Sequence, residues 1–273
     1  MRTISCRRRF APIAIPAALL LVATGCSTPV LSVEDEEKLG DQVAKEARRE
    51  LDFVGDELVR KYIEDLGRRI VAAAGPQPFE YRFYVVEDDE LNAFAAPGGH
   101  VYVQTGLIMA ADNVSELAAV LGHEVGHVAL RHVARNYYRQ RGTGMLYQIG
   151  AAALAILVGG PIAAGGQLAG QLAAVAYLNN FSRDAEREAD HFAVDVLPRI
   201  GIHPIGLATF FETLSKQGGG QPPAFLSSHP APAERIENAR KAIAAADLPG
   251  TLAIEDDGKL EIIQRRIELL TGH

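Results

Sequence analysis

Residues 121–132 read LGHEVGHVALRH. The run holds His-Glu-x-x-His at His123, Glu124 and His127, with a further histidine, His132, five residues on. Residues four apart on an α-helix share a face. His123 and His127 therefore project together, one turn apart, a spacing at which two imidazoles can bind one zinc ion. Glu124 lies at the edge of that face, where it can take a proton from a water without becoming a ligand. Ordinary composition produces this pattern by chance in on the order of 1% of chains this long.

A catalytic zinc takes three protein ligands and keeps a fourth position open. His132 is the nearest candidate for the third. Five helical positions amount to a rotation of about 500°, which turns His132 about 140° from the direction of His127. It is expected to be a structural or surface histidine. A better source is NNFSRDAEREADHFAVDVL (179–197), where Glu186 and Asp190 are four apart on one helix. Glu186 can offer a carboxylate oxygen to the metal. Asp190 can accept the free N–H of a ligating histidine and fix its tautomer. Glu188 points to a different face and is not expected at the metal. Spacing alone leaves a second reading open, a solvated acidic helix, because Arg183, Asp184 and Arg187 share the segment.

Outward from these motifs, Asn113 and Glu116 fit a capping box, which starts a long helix expected to run to about Gln140. FEYRFYVVE (79–87) and HVYVQT (100–105) read as neighbouring strands, with LNAFAAPGG (91–99) as the loop between them. Helical periods cover 34–51, 56–73, 183–197, 204–216, the later part of 227–247, and 257–270. Residues 142–182 carry no charge. Gly159-Gly160-Pro161 and Gly165-Gly166 divide that segment into pieces shorter than the roughly 20 residues a membrane span requires. Two small-residue helices packed on the motif helix are expected there, with a membrane-inserted hairpin as the alternative.

The N-terminus reads as an export signal. Arg2, Arg7, Arg8 and Arg9 precede the apolar run FAPIAIPAALLLVA (10–23), which ends in Thr24-Gly25-Cys26-Ser27. A small residue before cysteine resembles a lipobox, although Ala23 stands where Leu is more usual; ordinary signal cleavage nearby and an uncleaved anchor are the alternatives. Cleavage would leave an acylated Cys26, and Cys6 would depart with the signal, so the mature chain has no disulfide. Ser27 after the cysteine resembles the outer-membrane sorting pattern of Gram-negative lipoproteins. The net charge of −7 becomes −11 once four arginines leave, which argues against a nucleic-acid partner. The expected organisation is a signal at 1–25, a tether at 26–33, a peptidase domain at 34–247 and a helical extension at 248–273.

HEVGH followed by SRDAEREAD resembles the HtpX, BepA and Oma1 group of zinc metallopeptidases, relatives of the CAAX prenyl proteases, whose pattern is HExxH with a downstream ExxxD. NAFAAPGGHVYVQTGL (92–107) and SSHPAPAERI (227–236) extend the resemblance over most of 34–247. It implies an α+β, predominantly helical, zincin-like single peptidase domain with a small sheet beside the HExxH helix. It implies a gluzincin endopeptidase with one Zn2+ per chain, held by His123, His127 and Glu186, with Glu124 as general base. The family's aspartate corresponds to Asp190. In BepA-like members the histidine of the His-Pro loop can plug the metal, and an arginine six residues on lies near the active site. These correspond to His229 and Arg235. The chain departs from BepA in showing no TPR repeats after the matching region.

On this reading zinc polarises a water. Glu124 takes its proton and delivers it to the leaving amine, and Arg235 donates to the oxyanion. The peptide is expected to lie extended along His100, Val101, Tyr102 and Val103. Such backbone reading suits misfolded or stalled envelope proteins as substrates, with outer-membrane protein assembly machinery as a possible partner and the lipid on Cys26 as the membrane attachment. The alternative is a latent protease acting mainly as a chaperone-like assembly factor for outer-membrane proteins.

Overall fold

The computed structural model describes residues 31–141, 181–217, 223–229 and 232–272. The signal, Cys26, most of the tether and nearly all of the uncharged 142–182 segment lie outside the described residues. Among the described residues no helix is long and apolar enough to cross a membrane.

Helices α1 (Val33–Glu50) and α2 (Glu57–Ala73) open the chain. Ser32 caps α1 by accepting from the Asp35 N–H, and Asp56 caps α2 by accepting from Leu58 and Val59. Acidic Glu34, Asp35 and Glu36 in the first turn of α1, and Arg48 and Arg49 in its last, match the helix dipole. The stripe Val59, Ile63, Leu66 and Ile70 of α2 is buried in the main core.

The sheet has three strands: β1 (Arg82–Val86), β2 (Ala93–Ala96) and β3 (His100–Gln104), in the order β1-β3-β2. β1 runs parallel to β3, and β2 antiparallel to it. Two expectations are corrected here. The segment read as a loop at 91–99 contains β2. Strand β3, expected to offer His100, Val101, Tyr102 and Val103 to a substrate, is instead the central strand, and its backbone is paired on both sides. Val101 and Val103 enter the core, while Tyr102 lies in an aromatic ladder with Phe94 and Tyr84. A peptide has no β3 edge to join. Among the described residues, no strand pairs along the outer side of β2.

After the short α3 (Thr105–Ala110), Asn113 caps α4 (Val114–Ala129) by accepting from the Glu116 N–H at 3.0 Å. From Val114 to Val128 every residue of α4 is buried. The long helix expected to reach Gln140 breaks instead at Leu130 and Arg131, and α5 (His132–Arg141) starts afresh. Arg131 has φ +54, a left-handed conformation uncommon for a residue with a side chain. Its guanidinium is held from α1: Nε donates to Glu36 Oε1 at 2.7 Å, and Nη2 reaches the Leu31 carbonyl.

Helix α6 (Arg183–Val196) crosses α4 at close range. Gly122 and Gly126, four apart on α4, permit that approach. A Cβ on Gly122 would lie 3.3 Å from the Cβ of Ala193, and one on Gly126 would lie 3.1 Å from the Phe192 ring. Ala189 and Ala193 complete the small-residue seam. A Leu197–Ile200 turn, then α7 (Gly206–Gln217), α8 (Ala224–Ser228), α9 (Pro232–Ala245) and α10 (Lys259–Thr271) enclose the rest. Leu260, Ile263 and Ile267 of α10 enter the same core. The architecture is predominantly helical with a small sheet, as a zincin-like peptidase domain requires.

Candidate metal centre

The seam between α4 and α6 sets Glu186 and Asp190 opposite His123 and His127, all four buried. The Nε2 atoms of His123 and His127 are 2.9 Å apart. Glu186 Oε2 lies 3.4 Å from His123 Nε2, and its Oε1 lies 3.6 Å from His127 Nε2. His229, just past α8, brings its Nδ1 to 3.2 Å from His123 Nε2 and to 3.1 Å from each Glu186 oxygen. One ligand atom from each of the four residues falls within 4.8 Å of all the others.

The donors fit a zinc ion. Bonds of about 2.0–2.1 Å to a tetrahedral ion place ligand atoms about 3.3 Å apart, and the observed separations bracket that figure. The hydrogen bonds behind the rings agree. His123 Nδ1–H donates to Asp190 Oδ1 at 2.9 Å, so in the neutral ring Nε2 carries the lone pair that a metal would take. His127 faces His123 through its own Nε2 while its Nδ1 contacts His132 Nδ1 at 2.8 Å. At 2.9 Å the two Nε2 atoms need a cation between them, a proton or a metal ion.

Arg235 of α9 is a clamp behind the carboxylates. Its Nε donates to Asp190 Oδ2 at 2.8 Å and its Nη2 to Asp190 Oδ1 at 2.6 Å. Nη1 lies 2.9 Å from Glu186 Oε2 and donates to the His229 carbonyl at 3.3 Å. The guanidinium also sits over the Phe211 ring. Arg235 had been expected to donate to an oxyanion. Its donors are engaged within the protein, so in this conformation it holds Glu186 and Asp190 in place instead. Burial would raise the pKa of Asp190, but the charge and hydrogen bonds of Arg235 hold it below its ordinary value.

Glu124 is wholly buried on α4 where that helix packs against β2. Burial is the largest influence on it and pushes its pKa up from the ordinary carboxylate value. His229 Nε2 lies 3.4 Å from Glu124 Oε1, so one imidazole spans the metal group and the candidate base. Phe225 stacks on His229 at 4.5 Å between ring centroids, and Phe181 stacks on His127 at 4.0 Å.

His132 is buried and outside the ligand group, as its structural reading has it, but its direction differs from the one expected. The 140° offset assumed one continuous helix. The break at Arg131 turns the ring back, so His132 is buried against His127, neither on the surface nor pointing away. Its Nε2 meets Glu188 Oε2 at 3.1 Å, and Arg135 contacts both Glu188 oxygens, at 2.7 and 3.2 Å. Burial lowers the His132 pKa to about 4, only partly opposed by Glu188. Glu188 does face away from the metal group, yet it is connected to it through His132.

Comparison with known proteins agrees with this geometry. Residues 57–243 match the model of Peptidase family M48. The β-barrel assembly-enhancing protease of Yersinia pestis is 35% identical over 231 residues, covering 83% of this chain and 48% of the relative. The namesake protein of Escherichia coli K12 is 35% identical over 214 residues, covering 77% and 44%. The chain thus spans about half the length of these relatives. The metalloprotease LoiP of Escherichia coli K12 is 39% identical over 170 residues, 62% of this chain and 64% of LoiP.

Proposed function

We propose a function from one premise: the chain belongs to peptidase family M48. It is a zinc-dependent endopeptidase of the bacterial envelope that hydrolyses peptide bonds in misfolded or stalled envelope proteins. The observation that carries the reading is the buried convergence of His123, His127 and Glu186 beside Glu124. Two imidazoles and one carboxylate form a recurrent catalytic zinc set.

In this reading His123, His127 and Glu186 hold the metal, which when bound supplies Lewis-acid polarisation of water and carbonyl. Glu124 takes the proton of the attacking water and returns it to the departing amine. Burial favours this exchange, because a carboxylate with a raised pKa accepts a proton readily at neutral pH. Asp190 holds the His123 tautomer, and Arg235 balances the two carboxylates. The substrate lies extended along the outer side of β2 (Ala93–Ala96), next to Glu124, where backbone hydrogen bonds can add a strand. His229 plugs the fourth corner. A loop that leaves and returns gives such a site a closed and an open form.

Removing the metal has a measurable consequence. Stripping with a chelator leaves Glu186 and the facing imidazoles without a shared cation. At zinc 1,000-fold above its dissociation constant, linkage gives about 4 kcal/mol of stabilisation. The stripped protein should therefore melt several degrees lower in a thermal scan, and zinc should restore it where magnesium does not. Metal analysis should return one zinc per chain. Equal melting with and without chelator would overturn the metal assignment.

The chain acts as a lipoprotein facing the periplasm, anchored through Cys26 and placed at the outer membrane if the cell is Gram-negative. The basic, apolar and cysteine pattern of residues 2–26 supports this. The names of its relatives support a role near outer-membrane protein assembly. Cys26→Ser should move the protein from the membrane to the soluble fraction of fractionated cells. A variant that stays on the membrane would count against the lipid anchor.

A further inference from the structure

We infer that His132, held in turn by Glu188 and Arg135, is a positioning residue that fixes His127 as an Nε2 metal ligand. The inference rests on the zinc reading above and extends it to residues outside the HExxH and ExxxD patterns.

His127 turns Nε2 toward His123 Nε2 and Glu186, so Nε2 must be its lone pair if it ligates. The ring proton then sits on Nδ1 and needs an acceptor, because an unpaired buried donor is costly. The neighbour of that nitrogen is His132 Nδ1 at 2.8 Å. Two imidazole nitrogens at that distance share one proton, so His132 Nδ1 must be the acceptor. Its proton is then on Nε2, which points at Glu188 Oε2, 3.1 Å away. Arg135 fixes that carboxylate through two contacts, at 2.7 and 3.2 Å. With His127 ligating through Nε2, the contacts among Arg135, Glu188, His132 and His127 are all satisfied in one proton arrangement only.

The two ligands thus receive support of different kinds. His123 is oriented by a carboxylate directly, through Asp190. His127 is oriented by a carboxylate at one remove, with His132 interposed. The break at Arg131 makes this possible, since a straight helix would carry the His132 ring away from His127. Glu36 of α1 contributes by holding the Arg131 guanidinium. His132 cannot itself be a ligand in this geometry, because it touches the side of His127 that faces away from the metal group.

The test is zinc affinity, measured by chelator competition on full-length protein, together with the ring tautomers. Leu and Asn have nearly the same shape, but only the Asn amide oxygen can accept from His127 Nδ1–H. His132→Leu should weaken zinc binding about 10–100-fold, the usual range for losing a partner of a metal-bound histidine. His132→Asn should recover part of that loss. Nitrogen-15 spectra of zinc-loaded protein should show His132 protonated at Nε2, and the surface change Glu188→Ala should disturb that signal. Wild-type affinity in His132→Leu, equal weakening in Leu and Asn, or a His132 ring protonated at Nδ1 would each overturn the inference. If His132→Leu fails to fold, the Glu188→Ala affinity and tautomer decide the matter. Absence of zinc binding in the wild type would instead overturn the zinc reading itself.

Discussion

Glu124→Gln should lower peptide-bond hydrolysis by about 10²–10⁴-fold, the usual contribution of a general base, while zinc stays at one per chain. Gln matches Glu in shape, so the packing around this fully buried side chain is kept. What disappears is the capacity to hold a proton between attack and departure. The ligands His123, His127 and Glu186 are untouched, so metal content separates a lost base from a lost site. The measurement is digestion of casein by wild type and variant, with zinc analysis of both. A chaperone-like assembly factor would keep its function in Glu124→Gln, so retained activity in an assembly assay alongside lost cleavage would favour that alternative. Cleavage at the wild-type rate would remove Glu124 from the mechanism.

The parts of the site that depend on local helix geometry were legible in the chain. That His123 and His127 share a face follows from a spacing of four, and so does the alignment of Glu186 with Asp190. What spacing could not decide was whether the second helix meets the first or faces water. The determinant is the small-residue seam of Gly122, Gly126, Ala189 and Ala193, which lets the backbones close up. Gly-x-x-x-Gly inside the motif was a readable sign of that approach. Strand β2 was not readable in the same way. Ala93-Phe94-Ala95-Ala96 has little intrinsic preference for a strand and forms one because β3 offers it a partner. The break before His132 was hidden for a further reason. No glycine or proline marks it, and the Arg131 turn is held by Glu36, 95 residues earlier. Tertiary contacts of that kind override a helical period, and His132 was placed on the wrong side as a result.

His229→Ala should increase peptide cleavage, by about tenfold or more, with zinc retained. In the described conformation His229 Nδ1 is 3.2 Å from His123 Nε2 and 3.1 Å from both Glu186 oxygens, which is the fourth corner of the ligand group. Its other nitrogen lies 3.4 Å from Glu124 Oε1. One ring thereby stands where both the water and the scissile carbonyl must go. If His229 is the plug, hydrolysis would require the ring to leave, and the rate would carry the fraction of molecules that are open. A minor state populated at about 0.1–10% leaves a reserve of about 10–1,000-fold for a variant that cannot close. Alanine also preserves what the segment does elsewhere, since the His229 backbone carbonyl can still accept from Arg235 Nη1. The Phe225 stack is lost, and some loosening of α8 is expected with it. Zinc content must be read in parallel, because removing a fourth donor weakens binding, and three donors suffice for a catalytic site. Glu124→Gln combined with His229→Ala should return cleavage to background, which ties the gained activity to this site. Unchanged or reduced cleavage in a zinc-loaded His229→Ala protein would show that His229 does not gate the centre.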